Sequence, residues 1–76
     1  MRVKLFFPEN LIREPIVARL VRDHGITPNI RRASVEEDVG WMVLDLDGDP
    51  DAVGRAVSWL QEIGVEVDRL GDLLES

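Results

Sequence analysis

The strongest constraint on this chain is the order in which its hydrophobic period changes. Arg2-Val3-Lys4-Leu5-Phe6-Phe7 alternates polar and apolar, so Val3, Leu5 and Phe7 share one side of a strand that Pro8 ends. Beyond Glu14-Pro15, the residues Ile16, Val17, Leu20 and Val21 form a single helical stripe, with proline tolerated in the first turn. Gly25 suits the left-handed stop of that helix. Residues 26–36 return to an extended pattern, Glu36-Glu37-Asp38 reads as a polar turn, and residues 39–47 read as a strand. Asp49 and Pro50 supply an N-cap and a first helical residue. The stripe Val53, Ala56, Val57, Leu60 and Ile63 follows, ended by Gly64. Residues 65–70 form a last short strand, and 71–76 are a polar tail.

That order predicts two βαβ-like halves joined by a hairpin, a ferredoxin-like α+β sandwich. Right-handed crossovers give an antiparallel four-stranded sheet in the order 4-1-3-2, with both helices on one face. Seventy-six residues make one domain, with a core spanning residues 2–70. Alternation assigns Val3, Leu5, Phe7, Ile30, Met42, Leu44, Leu46, Val65 and Val67 to the helix-facing side. It sends Arg2, Lys4, Phe6, Asn29, Arg31, Trp41, Val43, Glu66 and Asp68 to the open face. There Glu66 and Asp68 are expected beside Lys4 and Arg2, and Phe6, Trp41 and Val43 as a central apolar patch. Such a patch marks a partner surface, so a homodimer through this face or a sheet edge is expected.

Composition narrows the function classes. The net charge is −6 and sits in the second half: residues 1–38 carry seven Lys/Arg against six Asp/Glu, residues 39–76 two against nine. An acidic chain without a basic stripe is a poor nucleic-acid ligand. The apolar runs are too short to span a bilayer, and a strand starting near Met1 leaves no room for a signal peptide. A cytoplasmic protein without direct membrane insertion is expected. With no cysteine there is no thiolate metal site and no thiol nucleophile.

Catalytic patterns are nearly lacking as well. His24, the one histidine, falls at a helix C-terminus, where a cationic ring favours the dipole. The acidic run Asp45–Asp51 fails as a calcium loop because its sixth and twelfth positions are Pro50 and Ala56. No phosphate loop emerges from the scattered glycines, and Gly54 inside the second helix is assigned to close helix–sheet approach. The chain is therefore expected to be no enzyme and to need no cofactor.

Asn29 stands out because asparagine is depleted in strands. Pro28-Asn29-Ile30-Arg31, Val39-Gly40-Trp41-Met42-Val43-Leu44 and the run Ala56–Val67 together resemble a NIL domain over roughly residues 3–70. That family is named for an Asn-Ile-Leu tripeptide on the second strand. The resemblance implies a ferredoxin-like fold that dimerises and, in methionine importers, binds L-methionine as a regulatory signal. It places the ligand-contacting asparagine at Asn29, followed by Ile30, with Arg31 standing where the family often has leucine. Asn29 beside Trp41 and Val43 would join a polar anchor to apolar surface, as small-molecule sites do. With no ATP-binding motif before it and no cysteines after it, the chain is expected to be a stand-alone domain. The leading reading is a ligand-sensing module with Asn29, Ile30, Arg31 and Trp41 at the site and Phe6, Trp41 and Val43 at the interface. The alternative is a ligand-free interaction module of a transport or sulfur-metabolism system.

Overall fold

The strands and helices follow the periodicities closely. The computed structural model describes residues 1–36 and 38–70. They form β1 (Arg2–Phe7), a short 3-10 turn (Glu9–Leu11), α1 (Ile16–His24), β2 (Thr27–Val35), β3 (Gly40–Asp47), α2 (Pro50–Glu62) and β4 (Glu66–Arg69). All pairings are antiparallel, in the order β2-β3-β1-β4, the predicted order read from the other edge. The expected tail, 71–76, and Glu37 of the polar turn lie outside the described residues.

The two helices are anchored differently. Asp49 caps α2, its carboxylate accepting from the Asp51 and Ala52 N–H groups at 3.1 and 3.2 Å, which is worth about 1 kcal/mol. By contrast α1 starts without a side-chain cap, and Pro15 occupies the N-cap position instead of the first turn. Its C-terminus is well closed. Gly25 sits at φ 65°, its N–H donates to Val21 O at 3.1 Å, and the Ile26 N–H donates to Leu20 O at 3.4 Å.

One layer of core holds the helices to the sheet. Val3, Leu5, Leu44 and Leu46 pack with Ile16 and Leu20 of α1 and with Val53, Ala56, Val57 and Leu60 of α2, none more than 5% exposed. Burying each large side chain stabilises by about 1.5–3 kcal/mol. Two expected core residues fall outside this zone. Val21 is 52% exposed, and Ile30, although paired with Leu44 on the helix side, is 48% exposed. The helices cover the middle of the sheet, and β2 is its edge. Gly54 also departs from expectation: a Cβ built there meets nothing within 4 Å, so close approach to the sheet does not require it.

Candidate functional site on the open sheet face

Register turns the open face into three rows. Ser34, Trp41, Phe6 and Glu66 form the first, Arg32, Val43, Lys4 and Asp68 the second, and Asn29, Asp45 and Arg2 the third. Glu66 thus lies beside Phe6, and Asp68 beside Lys4, two residues along from the expected register. A β-bulge between Ile30 and Arg32 leaves Arg31 without a partner residue in the ladder. Consequently Arg31 and Arg32 both reach the open face, Arg31 toward Asp45 and Arg32 toward Trp41.

Asp45 is the hub of the third row. Arg2 grips it through two bonds, Nε to Oδ1 at 2.7 Å and Nη2 to Oδ2 at 3.1 Å. The Nε of Arg31 donates to Oδ2 at 2.8 Å. The Asp45 side chain keeps 19% of its surface exposed. The Arg2 hydrogen bond, helped by the charges of Arg2 and Arg31 and opposed by partial desolvation, holds the carboxyl down to about 2. Asn29 stands directly across from this hub.

Aromatic rings and cations organise the other rows. Phe6 and Trp41 are directly paired neighbours. The Lys4 ammonium lies 5.0 Å from the Phe6 ring centroid and 4.6 Å from that of Trp41, and the Arg32 guanidinium lies 5.9 Å from Trp41. The patch predicted from Phe6, Trp41 and Val43 therefore exists, half-buried and partly roofed by cations.

The four residues expected at the ligand do not converge. Asn29 and Arg31 share the open face, while Ile30 points to the helix side. Trp41 lies two rows from Asn29, about 13 Å along the strand at ~3.3 Å per residue; Val43, one row away, is the nearer apolar neighbour. Arg31 is engaged by Asp45 and so is not a free carboxylate grip.

Sequence reasoning missed a hollow on the opposite side of the sheet. It has a volume of about 190 Å³ and is lined chiefly by Phe7, Leu11, Ile12, Val17, Val35 and Met42, with exposed Glu14 among its walls. Val35, the last residue of β2, lines it and is 65% exposed. The run Leu11-Ile12 before α1 was the available signal, since two apolar residues in a connecting turn need something to cover. A second cluster lies on the helix layer: the His24 ring sits 4.9 Å from the Trp59 ring, and the Arg19 guanidinium 4.8 Å from it. His24 thus ends α1, as expected, and also packs on α2.

These features define a two-layer, ferredoxin-like α+β domain with a mixed-charge open sheet. The chain belongs to the NIL domain family, whose model matches residues 1–69. It is 34% identical to the methionine import ATP-binding protein MetN of Chromohalobacter salexigens, over 91% of this chain and 21% of that protein. It is 24% identical to the L-aspartate semialdehyde sulfurtransferase iron-sulfur subunit of Methanocaldococcus jannaschii, over 97% of this chain and 56% of that protein. The chain therefore spans about a fifth of the length of the importer relative. Among solved structures, the C-terminal domain of an ABC transporter ATP-binding protein from Enterococcus faecalis superposes with a TM-score of 0.80 at 20% identity, covering 93% of this chain and 83% of that one. No helix among the described residues is long and apolar enough to cross a membrane.

Proposed function

We propose that this domain is a non-catalytic sensing module that binds an apolar α-amino acid, L-methionine foremost, and works as a cytoplasmic homodimer. The observation that carries the reading is the third row of the open face. A carboxamide, a carboxylate and two guanidiniums stand together there, Asn29 beside the Asp45–Arg2–Arg31 cluster. A zwitterion needs both donors and acceptors, and Asn29 supplies each from one side chain. Val43 in the adjoining row offers apolar contact to the ligand's side chain, while Trp41 belongs to the dimer face. The names of the importer relatives favour methionine, and the sensed signal passes to a partner protein of transport or sulfur metabolism.

Thermal denaturation with L-methionine tests this reading. Ligand at about 100 times its Kd stabilises the folded state by about 2.7 kcal/mol. For a chain this small that is a midpoint rise of roughly 10 °C or more. Asn29→Ala should abolish the rise and leave the unliganded midpoint nearly unchanged. No rise at millimolar methionine sinks the methionine reading and favours the ligand-free interaction module.

The apolar hollow supports a second reading, in which the ligand's side chain enters between Phe7, Val17 and Met42. Val35→Trp separates the two, since the larger ring fills the hollow from its exposed wall. A response lost in Val35→Trp and kept in Asn29→Ala assigns the ligand to the hollow.

A further inference from the structure

We infer that the groove between α1 and the edge strand β2 docks a basic amphipathic helix of another protein. This rests on the partner named in the reading above and gives that partner a surface and a chemistry. It does not depend on the ligand, because the groove lies on the helix side of the sheet and Asn29 on the open side. Exposed apolar residues point to the groove. Among the described residues, three of the five large hydrophobic side chains left exposed, Val21, Ile30 and Val35, belong to these two elements.

A short link, Gly25 and Ile26, joins α1 to β2, so the two elements run back along each other. On β2, Ile30, Ala33 and Val35 pair with Leu44, Met42 and Gly40 on the helix side of the sheet. On α1, Val17 and Val21 are one turn apart and share a side. Val17, Val35 and Met42 line the apolar hollow, and Val21 and Ile30 extend its surface along the groove. Ile30 is 48% exposed because neither helix covers this strip. A contiguous apolar strip left to water marks a docking surface.

Backbone and charge select the occupant. A strand added to the β2 edge is opposed by Pro28, which lacks an N–H, and by the bulge at Arg31. A helix needs no backbone pairing, since it anchors in a groove through apolar side chains one turn apart. The hollow, about 190 Å³, has room for one such anchor. Carboxylates surround that end of the groove. Glu14 stands in the wall of the hollow, and Glu36 follows Val35. Glu9 and Asp38 line an adjoining depression that shares Ile12, where Arg13 is the one cation. Among the described residues, none of these four carboxylates has a cation within 4.0 Å. The whole chain carries a net charge of −6. Lysines or arginines flanking the apolar face of the incoming helix complement both the rim and the chain, and an acidic helix is repelled.

Two model peptides test the groove on the full chain. One carries leucine and lysine at amphipathic helical spacing over about four turns, and the other replaces every lysine with glutamate. Amide-resolved NMR should show saturable binding of the lysine peptide, with shifts centred on Val17, Val21, Ile30, Val35 and Met42, and none with the glutamate peptide. Val21→Ser and Ile30→Ser each remove an exposed anchor and should weaken the lysine peptide by about fivefold or more, with circular dichroism confirming that each variant folds. Glu14→Gln with Glu36→Gln should weaken it as well, and less at high salt than at low. No saturable binding of the lysine peptide at millimolar concentration overturns the proposal. So does equal binding of both peptides, a footprint on the open face at Lys4, Trp41 and Val43, or serine variants that bind like the wild type. The methionine titration reads the ligand site separately, so a failed groove leaves a positive methionine response standing.

Discussion

The two faces of this sheet are built from alternate residues of the same strands and are held by different physics. On the covered face Val3, Leu5, Leu44 and Leu46 are at most 1% exposed and pack against both helices. On the open face Arg2, Arg31 and Asp45 form ion pairs, and Lys4 and Arg32 lie over aromatic rings. Apolar burial is insensitive to modest changes of pH or salt, whereas exposed ion pairs are weak and screened. The covered face therefore supplies the stability. The open face is free to exchange its contacts for those of a ligand or a second copy.

Breaking the covered face should have the largest effect. Leu44→Ala removes a fully buried side chain and should cost about 2–5 kcal/mol, read as a lower urea midpoint at unchanged m-value. A loss below about 1 kcal/mol would mean a core that collapses around the gap, and the contrast between faces would weaken.

The open face should respond to acid instead. The Asp45 carboxyl is held at about 2, below the ordinary carboxylate value of about 3.9. The sign follows from linkage: the folded state binds this proton less readily than the unfolded chain does. The contribution of Asp45 is present in full above about pH 4 and fades as pH falls through 2. Comparing Asp45→Asn with the wild type isolates it from other carboxylates. The gap between their melting temperatures should close between pH 4 and pH 2, and a gap independent of pH would contradict the ion cluster. The smallest expected effect is a gain. Gly54→Ala adds a methyl into open space and should stabilise by up to about 1 kcal/mol through helix propensity, measured by the same urea titration.

Much of the fold was legible because its signals are local. Alternation over residues 2–7 and 40–47, the cap at Asp49 and the left-handed stop at Gly25 each depend on neighbours within one element. What escaped depends on pairing between elements. The bulge beside Ile30 belongs to the β2–β3 ladder, and the exposure of Val21 and Ile30 depends on how much of the sheet two helices can cover. The site divides the same way. Alternation put Asn29 on the open face, but only the register reveals that Asp45, not Trp41, stands across from it. The hollow required the Leu11–Ile12 turn to meet β2 and β3, a contact between distant segments.

The claim that the open face is the working surface is tested most directly by an amide-resolved NMR titration of the full chain with L-methionine. Saturable shifts are expected at Asn29, Arg31, Val43 and Asp45, with smaller ones along β1. Shifts centred on Phe7, Leu11, Val17 and Met42, or none at millimolar ligand, would contradict it.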